Sequence, residues 1–582
     1  MIKVLRYLKQ IKSDIILSLV FVVLSQLSSL SLPLLMSLII NNGIANADLQ
    51  FIKNIGAIMA AISALHVVLS VFNSYYTSKT SAGYGKILRE DLFLKVESLS
   101  QIDIEKIGTP SLITRCTSDV KVMQDFILMS LRIIISSPIM LIGGTIMAVI
   151  LNPKLALTIL AVFPIIGIIV AIVLKTVIPI FKKRQKMTDE VNRFLRQKLS
   201  GIRVIKAFNT INKEDDIFSE KNQRLSFLVL KLQRIMSVLI PVCIVLVVVA
   251  LDTIIFIATK NIDTLSDPVK IQNTVGDLQA FVIYMIMIVA AVTMSAAMFV
   301  IVPRANISAK RIKEILELES QIKDPEVTKD IDNSQKGKVE FENVSFSYED
   351  GENNVLSNIS FVAESGKTTA IIGSTGSGKT TVANLLCRFC DVKEGRVLFG
   401  GVDVRELKQK ELLSKISYIP QKPVLFSGSI RENLLYGDEN ASEEKLKRAL
   451  DISQSSEFVF ALENGMESFI SQNGTNLSGG QKQRLSIARA LVKDADVYIF
   501  DDSFSALDFK TDSLLRKALK ENLSATVIIV AQRVGTIMNA DKIIVLENGK
   551  IVGMGKHAQL MEDCAVYREI ALSQLSSKEV LQ

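Results

Sequence analysis

Histidine and cysteine are scarce: the chain of 582 residues holds only His66 and His557 and five scattered cysteines, Cys116, Cys243, Cys387, Cys390 and Cys564. An odd, dispersed set excludes a disulfide framework and fits a reducing, cytosolic face. The single CxxC, Cys387-Arg-Phe-Cys390, lacks the partner ligands a metal or redox centre needs, so both thiols are expected to be buried helix residues. A cleavable signal is missing as well. The first apolar run is long and has no small-residue cleavage site, so it is expected to remain as a membrane span.

What the sequence has in excess is apolar length. Mean hydropathy is +0.35 and 49% of residues are hydrophobic, with the excess lying before Pro303. The net charge of +8 gathers beside those runs, which points to anionic headgroups and membrane lipids rather than to nucleic acid. Taking about 20 apolar residues per crossing, spans are expected near 14–40, 54–76, 128–151, 155–178, 235–259 and 279–302. Lys3, Arg6, Lys9 and Lys12 precede the first span, and segments 79–125 and 179–234 are basic, whereas the short connections 41–53, 152–154 and 260–277 are not. The positive-inside rule then puts both termini in the cytoplasm of a multi-pass protein of the cell membrane.

Helical periodicity continues into the basic segments through Ile87, Leu88, Phe93, Leu94 and through Val191, Leu195, Leu199, Ile202, which makes levers of the spans. Gly108-Thr109-Pro110 and Asn209-Thr210-Ile211-Asn212 interrupt them with turn chemistry. Within the spans, Arg132, Asp252 and His66 are costly and mark a candidate pathway, although snorkelling or a bond to a neighbouring helix explains each of them too. Met287, Met294 and Met298, with Tyr284, offer an adaptable face for an amphipathic ligand, or simple helix packing. Expected boundaries are a transmembrane domain over 1–319, a linker over 320–337 and a nucleotide-binding domain over 338–582.

Beyond Val339 the pattern becomes strand-like. The strand Thr369–Ile372 runs into Gly373-Ser374-Thr375-Gly376-Ser377-Gly378-Lys379-Thr380, followed by a helical run from Thr381 to Cys387. In that strand–loop–helix context glycine N–H groups wrap phosphates, Lys379 reaches the β/γ oxygens and Thr380 ligates Mg²⁺. A second strand, Val497–Phe500, ends in Asp501-Asp502 and puts Asp501 at the metal shell. ATP and Mg²⁺ are the expected ligands. Leu477-Ser478-Gly479-Gly480-Gln481 precedes a helix and presents a hydroxyl, backbone N–H groups and a helix N-terminus to an anion.

On these residues the chain resembles the ABC transporter exporters over nearly its whole length. The resemblance implies an all-α six-helix transmembrane domain with long cytoplasmic helical extensions, followed by an α/β P-loop ABC ATPase domain. It further implies that Tyr348 stacks on adenine, that Gln421 joins Mg²⁺ and the membrane-domain contact, and that Ser505-Ala506-Leu507-Asp508 is the D-loop. Residues 477–481 are then the signature motif, which caps ATP held on a second subunit. Two residues depart from the family. Asp502 stands where a glutamate polarises the attacking water, and a misplacement of about 1 Å costs on the order of a hundredfold. Gln532 stands where the switch histidine is usual, and an amide cannot become a cation. The segment Ser471–Asn476 also lacks the acid common before the signature.

An impaired site of its own beside an intact signature resembles one subunit of a heterodimeric multidrug exporter, with a second half-transporter supplying glutamate and histidine. Rival readings are a self-sufficient homodimeric exporter or lipid flippase, a nucleotide-gated channel or sensor, and an importer on the same scaffold. The absence of an N-terminal Cys/His peptidase-like domain favours drugs or lipids over peptides as cargo.

Overall fold

The computed structural model describes every residue except 45, 152, 264–267, 297, 349–352 and 575–582. It divides into two units, residues 1–98 with 108–318, and residues 99–107 with 319–582.

In the first unit the apolar runs are helical, as they must be where no water is available to satisfy a backbone amide. Helices Leu49–Glu97, Pro153–Ser200 and Ile211–Asp263 hold 49, 48 and 53 residues. At about 1.5 Å per residue each is more than twice the roughly 30 Å of a hydrocarbon core. Among the described residues four stretches are long and apolar enough to cross a membrane: Ile2–Ile44, Leu49–Glu97, Thr109–Leu151 and Val275–Ser295. The spans expected near 155–178 and 235–259 fall on Pro153–Ser200 and Ile211–Asp263, many of whose side chains lie outside the described residues. Val67, Val71, Ile142 and Ile146 are more than half exposed, a face that suits acyl chains and not water.

Inside this unit packing is local. Leu30, Ala280 and Tyr284 form one buried cluster with Met140, Met147 and Met287 around it, and the Tyr284 hydroxyl donates to the Leu30 carbonyl at 2.7 Å. Gly144 lets the helix Ser136–Leu151 approach Ile288, which a Cβ there would meet at 3.0 Å, the small-residue contact by which membrane helices close. Gly108, at φ +83°, precedes the short helix Thr109–Thr114, and Asn209, at φ +52°, precedes Ile211–Asp263. Both expected turns are therefore present.

The second unit is built on strands. β1 (Val339–Phe346), β2 (Leu356–Ala363), β4 (Glu394–Phe399) and β5 (Val402–Asp403) make an antiparallel sheet in the order β2-β1-β4-β5. β3 (Thr368–Gly373), β6 (Ile416–Ile419), β9 (Val497–Asp501), β10 (Thr526–Ala531), β11 (Lys542–Glu547) and β12 (Lys550–Gly555) make the other, in the order β12-β11-β3-β10-β9-β6. Its strands are parallel except for the β11–β12 hairpin. A small ribbon pairs β7 (Gly428–Ser429) with β8 (Phe469–Ile470). β9 and β10 read VYIFD and TVIIVA and are buried at every position, as strands covered on both faces require.

Helix Gln101–Ile107 belongs to this second unit, although it is far from it in sequence. Ile102 packs against the core that includes Phe341, Leu386 and Leu412. Buried Asp103 accepts from Ser100 Oγ at 2.6 Å and from the Gln321 N–H at 3.3 Å.

Candidate functional site

Ligand sites of parallel sheets lie beyond the carboxyl ends of the strands, and three such ends converge here. β3 runs into the loop 373–378, which closes against its own domain: a Cβ on Gly373 would stand 2.1 Å from the Leu546 carbonyl oxygen, and one on Gly378 2.5 Å from Leu356 Cδ2. Gly378, left-handed at φ +95°, is the N-cap of the helix Lys379–Leu386, a conformation that a side chain there would strain. The loop amides and the helix N-terminus together form an anion cradle. Buried Lys379 donates through Nζ to the carbonyls of Gly373 at 2.9 Å and Ser374 at 2.7 Å. Burial lowers its pKa, opposed by the charges of Asp502 and Asp501.

Register puts Val530 of β10 beside Asp501 of β9, and the Asp502 N–H donates to the Val530 carbonyl at 2.8 Å. Asp501 accepts from Thr380 Oγ1 at 3.1 Å and from Tyr418 Oη at 3.1 Å. Burial raises its pKa while these two bonds oppose the rise. A hydroxyl facing a carboxylate is an oxygen-only donor pair that fits Mg²⁺; when bound, the ion neutralises phosphate charge. Asp502, at φ +48°, accepts on one oxygen, Oδ2, from Gln421 Nε2 at 3.1 Å and from Gln532 Nε2 at 3.2 Å. Lys379, Thr380, Gln421, Asp501, Asp502 and Gln532 line a cavity of about 240 Å³ that also includes Thr375, Gly376 and Thr381. Tyr348 stands outside that lining but bonds Thr381 Oγ1 at 3.3 Å.

The segment Leu477–Gln481 contributes nothing to the cavity lining. Ser478 is the N-cap of the helix Gly479–Val492: its Oγ accepts from the Gln481 N–H at 3.3 Å, and Gln481 Oε1 accepts from the Ser478 N–H at 2.9 Å. That capping box fixes the helix start. A Cβ on Gly479 would meet nothing within 4 Å. Ser505 Oγ donates to the Asp502 carbonyl at 2.8 Å, and Asp508 caps the helix Phe509–Asn522 by accepting from the Thr511 N–H at 3.0 Å. Ala506 and Leu507 lie beside Gly480, whose Cβ would stand 3.5 Å from the Ala506 carbonyl oxygen. In the acid-free stretch before the signature, Asn476 Oδ1 accepts from the Ser471 N–H at 3.0 Å, so that loop is closed by its own amides.

The membrane candidates occupy several environments among the described residues. Tyr284 and Met287 belong to a packed cluster, Met298 is buried and Met294 is exposed. Arg132 Nη2 bonds Ser74 Oγ at 2.9 Å, and Asp252 is exposed. His66 Nδ1 bonds the Ser25 carbonyl at 2.9 Å, the neighbouring-helix contact. A separate cavity of about 830 Å³ in the first unit is lined by Lys121, Asp125, Met129, Phe181 and Arg304 among others, and by none of those candidates. Cys387 caps its helix and Cys390 lies in the turn beyond it; burial raises both thiol pKa values and leaves them unreactive. Sequence reasoning missed Tyr418 as a partner of Asp501 and missed Gln574, whose contacts are described below. Neither sits in a motif that would have flagged it.

Comparison with known proteins bears on family and fold. Residues 15–292 match the model of the ABC transporter transmembrane region, and residues 356–505 match that of the ABC transporter. An uncharacterised ABC transporter ATP-binding protein of Mycobacterium tuberculosis is 36% identical over 560 residues, covering 96% of this chain and 95% of the relative. A Bacillus subtilis protein provisionally named for multidrug export as an ATP-binding/permease protein is 29% identical, with 97% of this chain and 98% of the relative covered. Among solved structures, a bacterial Atm1-family ABC exporter with ATP bound superposes with a TM-score of 0.79 at 21% identity, over 97% of this chain and 99% of that one. This last likeness is one of fold.

Proposed function

The chain belongs to the ABC transporter family, and we propose that within it this protein is one half of a heterodimeric exporter whose own ATP site is degenerate. The family activity is ATP hydrolysis coupled to transport through a membrane. The observation that carries the finer reading is Asp502: one oxygen of this carboxylate is taken by two amide donors, Gln421 and Gln532. A carboxylate that acts on water needs a free lone pair within reach of it, and Asp502 is also one methylene shorter than glutamate. Its lone pairs are partly spent on neutral donors.

Gly479 supports the need for a second molecule. Among the described residues nothing lies within 4 Å of where a Cβ at that position would stand, which leaves room for the close approach of a phosphate from another subunit. In this reading six spans from each half enclose the pathway, with both termini in the cytoplasm. Lys379, Thr380 and Asp501 hold Mg·ATP with slow turnover, and Ser478–Gln481 serve the competent site of the partner. The cargo is an amphipathic drug or lipid moved outward; the apolar helices and the multidrug name of the Bacillus subtilis relative favour that class.

The test is Mg·ATP turnover of the full chain alone in lipid. Near-zero turnover with retained ATP binding is expected. Robust turnover abolished by Asp502→Ala instead makes the chain a self-sufficient homodimer. Transport into oriented vesicles reads the direction.

A further inference from the structure

The loop after β10 is held from outside the ATP pocket. Beyond Ala531 the strand ladder ends, yet the next backbone groups are still paired. Gln574 Nε2 donates to the Gln532 carbonyl at 2.9 Å, and Gln574 Oε1 accepts from the Val534 N–H at 2.9 Å. One side-chain amide thus stands in for two residues of a neighbouring strand. Gln574 closes the helix Ala565–Gln574, which is anchored by fully buried Tyr567 and Ala571 in the core that also holds Ile529, Ala531 and Val534. The Tyr567 hydroxyl is tied to His557 Nδ1 at 2.7 Å. Between the two clamped groups, Arg533 Nη2 donates to the Ser505 carbonyl at 3.1 Å, and the Gln532 side chain reaches Asp502.

We propose that Gln574 is a positioning residue for the ATP site: the C-terminal helix, through this bidentate amide, fixes the backbone from which Gln532 projects into the cavity. A side chain that reads a terminal phosphate must be held to within a fraction of an ångström by what supports it. Gln532 hangs from a loop beyond the end of its strand, so without Gln574 the two peptides that follow it each lose a lateral bond. The inference rests on the reading of the cavity as an ATP site but not on whether that site hydrolyses.

The experiment measures binding of the β,γ-methylene analogue of ATP and of ADP to the full chain in lipid nanodiscs, with hydrogen exchange followed over residues 530–536. If the unsubstituted chain binds neither nucleotide, the site assignment itself fails. Given binding, Gln574→Ala is expected to weaken the ATP analogue about three- to tenfold, the weight of one or two hydrogen bonds, to leave ADP unchanged and to speed exchange at Val534. Gln532→Ala is expected to do the same to nucleotide affinity, and the double variant no more than the worse single one, because both remove one coupled element. Gln574→Glu retains the acceptor for Val534 and loses the donor to Gln532. It is expected to keep exchange slow at Val534 yet still lose preference for the ATP analogue, and it carries the test should the alanine variant fail to fold. Unchanged preference in Gln574→Ala or Gln574→Glu, or additive losses in the double variant, overturns the proposal.

Discussion

The two glycine-bearing faces of the nucleotide unit obey different constraints. At the 373–378 loop Gly373 and Gly378 answer to their own chain, since a Cβ on either collides with Leu546 or Leu356 at 2.1 and 2.5 Å, while Gly376 is set by its left-handed φ of +83° and not by a neighbour. At the signature, Gly479 answers to nothing within 4 Å. The polar groups differ in the same way: Asp501 and Asp502 are buried and bonded on their own side, whereas the side chains of Ser478 and Gln481 bond each other's backbone. One face is closed by its own fold, and the other is left open, which in the proposed reading is room for the nucleotide of a second subunit.

The largest contrast is reached by breaking each face in turn. Lys379→Ala removes the buried cation from the cradle and is expected to cut ATP affinity by on the order of a hundredfold, the weight of lost charge-assisted bonds. Gly479→Arg is expected to leave that affinity and the folding of the chain unchanged while abolishing ATP turnover in the assembled transporter. Equal losses of affinity from both substitutions, measured by nucleotide titration, would merge the two faces into one.

A second pair of substitutions sharpens what is finished about the first face. Asp502→Glu together with Gln532→His is expected to raise the turnover of the chain at least about tenfold, and each alone by less, since a held geometry and a matched donor are both needed. Full recovery from Asp502→Glu alone would assign the deficit to carboxylate reach and not to the amides that occupy it.

Acidity separates the faces more gently. Burial puts the Asp501 pKa above the ordinary carboxylate value of about 3.9. Between the unfolded and folded values the folded state binds more protons, so the contribution of this group to stability falls as pH rises through that window. Mg²⁺ needs the carboxylate. The thermal stabilisation by Mg·ATP is therefore expected to shrink as pH is lowered into the window, and Asp501→Asn is expected to remove that dependence. The smallest effect belongs to the open face: Ser478→Ala deletes an N-cap and is expected to cost about 1 kcal/mol in denaturation of the full chain, with ATP affinity of the first face unchanged.

Much of this contrast is local and could be read from residue order. The strand before Gly373, the strand ending at Asp501 and the helix after Ser478 each announce themselves through composition and flanking residues, and the structure has all three. What order does not carry is convergence. Gln421 and Gln532 lie 81 and 30 residues from Asp502, and nothing in their neighbours says that they share one oxygen. Gln574 sits in a helix without any nucleotide motif. In the membrane half, periodicity marks Tyr284 and Met287 as a helix face but does not separate a face turned to cargo from one turned to Leu30. Helix Gln101–Ile107 shows the same limit: residue order does not name the core that receives it.

That helix also has a consequence for biosynthesis. Residues 99–107 emerge from the ribosome about two hundred residues ahead of the rest of the unit to which they belong, which at roughly 5–20 residues per second is a wait of about 10–40 s. For that interval Ile102 has no core to enter and Asp103 no Gln321 to hold. A nucleotide domain begun at residue 319 never receives them at all, so it is expected to be a poorer folder than the whole chain. Supplying residues 99–107 as a separate peptide is the natural complement.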